Sequence, residues 1–536
     1  MLSTHPFTRA SFWLKVGVAA LLAGLANALF FWSAPWGAVV GAFAAAWIVG
    51  VLVVRRGLLR DRRALFAIVA AAALAAVMIE RPDGLSWLMF GLVLTVAVLS
   101  ARVRKAEPAW RWAQRIIVHV AVGLVGPILD LVRLGRLRRR RSGKVSPAAL
   151  LKVMALPMIG GLIFLLLFAR ANPVISGVLD ALRLPPLSGF TILRLIGSLI
   201  AMILVGMILR PRWYRRLQAL PSLGERRIPG VNPASVTLSL LVFNVLFALQ
   251  NGLDVAFLWS GAPLPGDMTL ADYAHRGAYP LIVTALLAGL FVLVALRPGS
   301  ETAKRPLVRG LVTLWVGQNM VLVASALLRT ADYVEGYALT RFRIAAMIWM
   351  VLVGIGLLLI GWRLLKERDG HWLIDANVKL VLVVLAVVSM VDLGAAAASW
   401  NVKHAREVDG TGAVLDVGYL HSLGEPALVS LVELERTTDD PALRDRLAAV
   451  RQPILFDLRR RQSDWRSWTW RGERRLARVR ALTASRPLTP PAPGSREWDG
   501  RLRPPPPPQI QPDVPPPVAM PPQETVLTPL TSAPGV

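Results

Sequence analysis

Ala34–Val54 reads APWGAVVGAFAAAWIVGVLVV, twenty-one residues without a charge, and it stops against Arg55-Arg56. An α-helix rises about 1.5 Å per residue, so a run of this length matches a hydrocarbon core of roughly 30 Å. Within that core the backbone N–H and C=O groups must be satisfied inside the segment, and a helix does so.

Working outward, comparable runs recur near Phe12–Phe31, Ala64–Ile79, Gly84–Ala101, Leu150–Phe168, Thr191–Leu209 and Val236–Phe257, then near Tyr279–Ala295, Leu311–Leu328, Phe342–Ile360 and Val378–Ala398. The predicted fold is therefore all-α, a polytopic transmembrane helix bundle of about 11 spans. The first run lacks an A-x-A-like site and is followed at once by another span, so it reads as a span and not as a cleaved signal. A 55% hydrophobic composition agrees with this reading, because soluble domains average roughly 45–50% apolar in shorter runs.

The net charge is +28, with 61 Lys and Arg. The basic residues cluster at Arg55–Arg63, Arg102–Lys144, Arg210–Arg227, Arg297–Arg309 and Arg363–Arg368. The alternating loops hold only Arg81, Arg170, Arg183, Arg276, Arg329 and Arg341. About thirty basic residues against six assign the rich side to the cytoplasm. The N-terminus is then cytoplasmic and the C-terminus lies on the outer side. The charge is a matter of topology and lipid, and no nucleic-acid partner is expected. The chain has no Cys, which excludes disulfides and thiolate chemistry.

Five segments follow: a four-span bundle over 1–110, a basic cytoplasmic loop over 111–149, a seven-span core over 150–400, a periplasmic helical module over 401–485 and a disordered Pro-rich tail over 486–536. Within the loop, Ile116–Val132 is apolar but has basic flanks on both sides, and it reads as interfacial or re-entrant. In the module, Leu443, Leu447, Val450, Ile454 and Leu458 recur at helical steps, with Asp440-Pro441 as the start signal and Pro453 as an expected kink. The tail includes Pro504–Pro508 and Pro515–Pro517, with no apolar period to bury.

Several stretches resemble a known family. They are Ala171-Asn-Pro173, Tyr273-Ala-His-Arg-Gly277, Ser325-Ala-Leu-Leu-Arg329 running into Tyr333, and Tyr337-Ala-Leu-Thr-Arg-Phe-Arg343. Leu415-Asp416, Tyr419-Leu420 and Ser422-Leu423 extend the series. From about Asn172 to Leu434 the chain resembles a bacterial multi-pass membrane family catalogued as domain of unknown function 4173, with a related group 4153. It departs from the pattern at His275, where the family carries Arg, and at Lys403-His-Ala-Arg406. The resemblance implies a membrane fold and no activity.

Two groups of side chains are candidate sites. On the outer face stand Tyr273, His275, Arg276, Arg329, Tyr333, Tyr337 and Arg343. If 329–337 is helical, Arg329, Tyr333 and Tyr337 form one stripe, and Arg with Tyr suits a carboxylate, phosphate or glycan. The bland alternative is an ordinary aromatic belt with span-end arginines. Inside the spans stand Asn244 and Asp254 in the seventh and Asp392 about two thirds across the last. Gln250, Asn251, Gln318 and Asn319 accompany them. Intramembrane acids are functional candidates by default, and helix-to-helix pairing is the alternative.

There is no Walker A run, no H-E-x-x-H and no G-x-S-x-G. His404-Ala-Arg-Glu-Val-Asp409 matches a bare H-x4-D spacing, a weak pattern. The six His include no i, i+3 or i+4 pair, so no metal site and no cofactor is predicted. Three readings stay open. One is an envelope scaffold or sensor that meets membrane lipids and a periplasmic protein through the module or tail. The second is a small-solute transporter with a cavity among spans seven to ten. The third is a membrane-embedded enzyme on an envelope lipid or glycan precursor.

Overall fold

The computed structural model describes residues 9–31, 36–101, 107–124, 189–210, 233–260, 305–366, 368–410 and 412–503, with isolated positions 103, 161 and 287. Nine apolar helices lie in this set before residue 391. They are α1 (Arg9–Phe30), α2 (Val39–Val54), α3 (Arg62–Glu80), α4 (Gly84–Ser100), α5 (Gly189–Leu209), α6 (Pro233–Asp254), α7 (Pro306–Tyr337), α8 (Arg341–Leu365) and α9 (Gly370–Met390). Seven are long and apolar enough to cross a membrane; α2 and α4 are shorter, with 16 and 17 residues. The chain is an integral membrane protein of all-α fold. The expected spans Leu150–Phe168 and Tyr279–Ala295 lie outside the described residues.

Short polar loops set the helix starts. Asp61 accepts from the amides of Arg63 and Ala64, Asp83 from that of Ser86, Thr340 from that of Arg343 and Asp369 from that of Trp372. Each satisfies an N-terminal donor that the helix itself leaves unbonded. Phe43, Trp47, Trp87 and Phe90 interlock between α2 and α4 at ring centroids 5.7–6.2 Å apart. That core also takes in Val205, Ile208 and Leu209 of α5. The four-span unit expected to close near residue 110 therefore shares its core with a later helix. A second core joins α6, α7, α8 and α9 through Leu240, Trp315, Leu357 and Leu373.

The helix directions place the loops at two ends. Arg309 Nη2 donates to the Leu364 carbonyl at 3.1 Å, which puts the start of α7 beside the end of α8. The Ala109 amide donates to Asp375 at 2.6 Å, near the start of α9. The basic loops at 55–63, 305–309 and 363–368 share this end. Helical residues 109–124 touch Asp375 at one extremity, while Gly123 abuts Met207, late in α5, at the other. Both contacts are at the arginine-rich end, so this stretch runs across the bundle end.

The opposite end carries a helical module. Its elements are α10 (Leu393–Lys403), α11 (Val417–Leu423), α12 (Leu428–Thr437), α13 (Pro441–Ser463) and α14 (Trp470–Thr483). Leu420, Leu428, Leu431, Leu434, Leu447 and Leu458 form its buried core. Asp440 caps α13 with Pro441 in its first turn, and α13 continues through Pro453.

Two expectations are corrected. The last span runs over Gly370–Met390 and stops there, where Val378–Ala398 was expected. Asp392 is consequently the N-cap of α10, accepting from the Ala395 amide at 3.1 Å, and does not sit two thirds across a span. The boundary at 485 also moves. Residues 486–503 pack on the module: Arg446 bonds Asp499 at 2.7 Å, Arg496 bonds Asp445 at 2.8 Å, and Trp498 lies where a Cβ on Gly418 would stand. The remainder of the tail, 504–536, lies outside the described residues.

Candidate functional site

The polar residues of the seventh and ninth expected spans meet along the seam between α6 and α7. Asn244 donates to the Leu240 carbonyl at 2.8 Å and to the Leu311 carbonyl at 3.0 Å. Asn251 donates to the Gln318 carbonyl at 3.0 Å, and Gln318 donates back to the Asn244 carbonyl at 3.2 Å. Farther along, Asp254 forms an ion pair with Arg329, both side chains buried, and accepts from Gln250 at 3.0 Å. A π-turn, Val255–Trp259, follows at once, and Trp259 Nε1 donates to Ser325 Oγ at 3.1 Å. Arg329 lies about 35 Å along α7, near the module end of the spanning length.

The amide groups of this seam leave their oxygens over. Asn244 Oδ1, Asn251 Oδ1, Gln318 Oε1, Asn319 Oδ1 and Asp254 Oδ2 are buried and accept no hydrogen bond among the described residues. All four of these amides direct NH2 at backbone carbonyls, so their oxygen positions are fixed by hydrogen bonding.

The outer stripe divides. Helix α7 does continue through Tyr337, but Arg329 turns inward to Asp254. Tyr333 and Tyr337 pack at 4.8 Å, and the Arg343 guanidinium covers the Tyr333 ring at 4.2 Å. Arg343 also donates to the Tyr337 carbonyl at 2.5 Å and to that of Ala338, which closes the C-terminus of α7. Tyr273, His275 and Arg276 lie outside the described residues.

The module is fastened to the bundle at the same end. The Gly37 and Ala38 amides donate to the carbonyls of Arg466 and Trp468 at 2.8 and 2.6 Å. Asn401 exchanges two bonds with the Leu339 backbone, at 2.6 and 2.9 Å, and the Arg341 amide donates to the Tyr419 hydroxyl at 2.8 Å. Around these runs a network of charges. Glu80, at the end of α3, faces Arg471 and Arg474. Asp392 faces Arg475, Arg471 at 3.5 Å and Arg81 at 3.7 Å. Glu425 holds Arg461 at 2.8 Å and Arg475 at 3.3 Å.

Burial alone would raise the pKa of Asp392; Arg475, the Ala395 amide, Arg81 and Arg471 outweigh it and hold the carboxyl below its usual range. Burial lowers the pKa of Arg475, with Asp392 and Glu425 opposing.

Beside the Asn401 contact a cleft of about 810 Å3 opens between the end of α7 and the module. Asp332, Glu335, His404, Arg406 and Asp416 line it. His404 stacks on Trp400 at 3.9 Å and its Nδ1 lies 3.0 Å from the Trp400 carbonyl, so one ring nitrogen of the H-x4-D pattern is engaged locally. Ala338, also on the cleft, has φ 65° and ψ 168°, a conformation that L residues seldom adopt.

Sequence reading found Asp254, Arg329 and Asp392 but not their partners. It set Arg329 apart from Asp254, and it missed the arginines that surround Asp392. The available signal was an acid at each of two span ends, Glu80 and Asp392, together with the arginine-dense 466–480 segment.

A family model described as Domain of unknown function (DUF4153) matches residues 65–434, and the chain belongs to that family. This is the second of the two related groups that the sequence resembled, and the match begins within α3, well before residue 172. No curated protein and no solved structure matches the chain.

Proposed function

We propose that this protein is an envelope scaffold or sensor, a helix bundle of the bacterial inner membrane that holds a helical module at the periplasmic surface. The observation that carries this reading is the fastening of the module. Backbone bonds at Gly37 and Ala38, the Asn401–Leu339 pair and the charges around Glu80 and Asp392 join the two units along one bundle end. Such a joint passes a displacement of the module to α3, α7, α8 and α9 together. The cleft beside Asn401 supplies a place for a ligand or partner to act on that joint. The Pro-rich composition of 504–536 suits recognition by an aromatic groove on a periplasmic protein.

A second reading, transport of a small cation, is favoured by the acceptor oxygens left over on Asn244, Asn251, Gln318, Asn319 and Asp254. Oxygen donors without hydrogen-bond partners suit a hard cation. One experiment separates the two. The native chain has no Cys, so Asn251→Cys alone is challenged in intact cells with a small impermeant thiol reagent. The scaffold reading predicts no modification before denaturation. Modification at a rate comparable with an exposed module position would refute it in favour of a water-filled path.

A further inference from the structure

A second cavity, of about 340 Å3, lies in the joint itself, and its chemistry differs from that of the cleft beside Asn401. Two of its walls belong to the bundle: Arg81, just beyond α3, and Arg341, the first residue of α8. The module supplies Arg461 from α13 and Arg471 and Arg475 from α14. Glu425 is the acid on the wall.

The charges do not balance. Five arginines, Arg474 included, share Glu80, Asp392 and Glu425, each of these carboxylates already serves two or three of them, and Arg341 adds a sixth guanidinium. The Arg341 guanidinium forms no ion pair or hydrogen bond among the described residues; only its backbone amide is engaged. Arg471 is more than nine-tenths buried, and among the described residues its Nη1 has no hydrogen-bond acceptor, although Asp392 stands 3.5 Å away. A buried guanidinium with an idle donor is costly unless an acceptor is supplied. The bundle-side walls stand at span ends, and Trp36, largely exposed, lies at the rim. This is the headgroup level of a bilayer.

We propose that this pocket is an anion site that takes a phosphate group, with Arg341, Arg461 and Arg471 as its principal donors. Planar guanidinium forks suit phosphate oxygens. Two sources share this chemistry, the phosphodiester of an anionic lipid headgroup and a free phosphate. A phosphate here would face arginines of both units and so tie module to bundle. The inference does not depend on the module having a protein partner or on the bundle being closed.

The test uses the full chain in phosphatidylcholine nanodiscs, with the melting midpoint read against added phosphatidylglycerol or against added inorganic phosphate. The wild-type midpoint is expected to rise with at least one of them. Arg341→Gln and Arg461→Gln are each expected to need about tenfold more anion for the same rise, the loss of one charge-assisted contact. Arg480→Gln, an exposed change in the α14 charge surface away from the pocket, is expected to leave the titration unchanged. Because Arg341 contacts no acid, its variant is expected to match wild type in phosphatidylcholine alone, which keeps folding separate from binding. A response to the lipid only identifies a headgroup site; a response to inorganic phosphate identifies a soluble ligand. No response to either, or titrations of both pocket variants that superimpose on wild type, overturns the proposal.

Discussion

Asp392→Asn removes one charge and little else. Asparagine is as good an N-cap as aspartate, so the bond from the Ala395 amide survives and α10 keeps its start. Arg475, Arg471 and Arg81 then face one another without their shared carboxylate. The Asp392 and Arg475 side chains are 16% and 11% exposed. Breaking a buried pair by deleting one partner costs about 3–5 kcal/mol, and the residual exposure argues for the lower figure. At 1.4 kcal/mol per decade, about 3 kcal/mol is roughly a hundredfold rise in the open fraction of the joint. The reporters are the Gly37 and Ala38 amides, whose acceptors are module carbonyls. Hydrogen exchange by mass spectrometry on peptides covering these positions should accelerate by about two decades, while amides in the middle of α8 stay slow. Asp392→Ala also loses the cap and should add about 1 kcal/mol. Unchanged exchange at Gly37 and Ala38 in Asp392→Asn would refute the view that this carboxylate holds the module down. The pH dependence has a definite sign. A carboxyl whose folded pKa is lowered gives stability that is present above its unfolded value of about 3.9 and is lost as pH falls through the folded value. Protection at the joint, taken relative to the pH-dependent intrinsic exchange rate, should therefore be level between about pH 5 and 8 and fall in acid.

Other consequences concern the module and the cleft. Arg451 forks onto Glu435 at 2.7 and 3.2 Å inside the module, and burial nevertheless pushes the Glu435 carboxyl above its usual range. Arg451→Met alone should cost about 3–5 kcal/mol, whereas Glu435→Leu with Arg451→Met should be neutral or stabilising, as read by the melting of the full chain in detergent. Arg451 also donates to the Thr489 carbonyl at 2.8 Å, so both variants should expose the 486–503 segment to protease earlier than wild type. Ala338→Gly should raise the melting midpoint, because glycine adopts φ 65° without the strain of about 1–3 kcal/mol carried by alanine; an unchanged or lower midpoint would show that the strain is absent.

The apolar runs made the bundle legible because lipid imposes a length and a periodicity that a sequence displays directly. The alternation of basic loops was equally legible, and among the described residues the arginine-rich loops at 55–63, 305–309 and 363–368 fall at one bundle end. Boundaries were less so where a polar residue changes role. Val391-Asp392 interrupts a stretch that is apolar on both sides, and only the capping geometry reveals that the helix stops at Met390. The 486–503 segment has the composition of an open tail, yet its two arginine–aspartate pairs and Trp498 find partners on the module. The partners of the candidate side chains were not legible for a related reason. Asp254 and Arg329 are 75 residues apart in sequence, and Glu80 is 391 from Arg471, so composition offers no register for either pairing. The Tyr333, Tyr337 and Arg343 cluster was visible as a pattern, but a pattern does not distinguish a ligand site from a helix terminus closed by its own neighbour.

The most direct test of the account is the side of the membrane on which the module lies. Single cysteines at Val414, exposed beside the cleft, and at Gly57, exposed in the arginine-rich loop between α2 and α3, would be labelled in intact cells with an impermeant thiol reagent. The account predicts labelling at Val414→Cys in intact cells and at Gly57→Cys only after lysis. The reverse pattern would invert the orientation and remove the periplasmic scaffold reading.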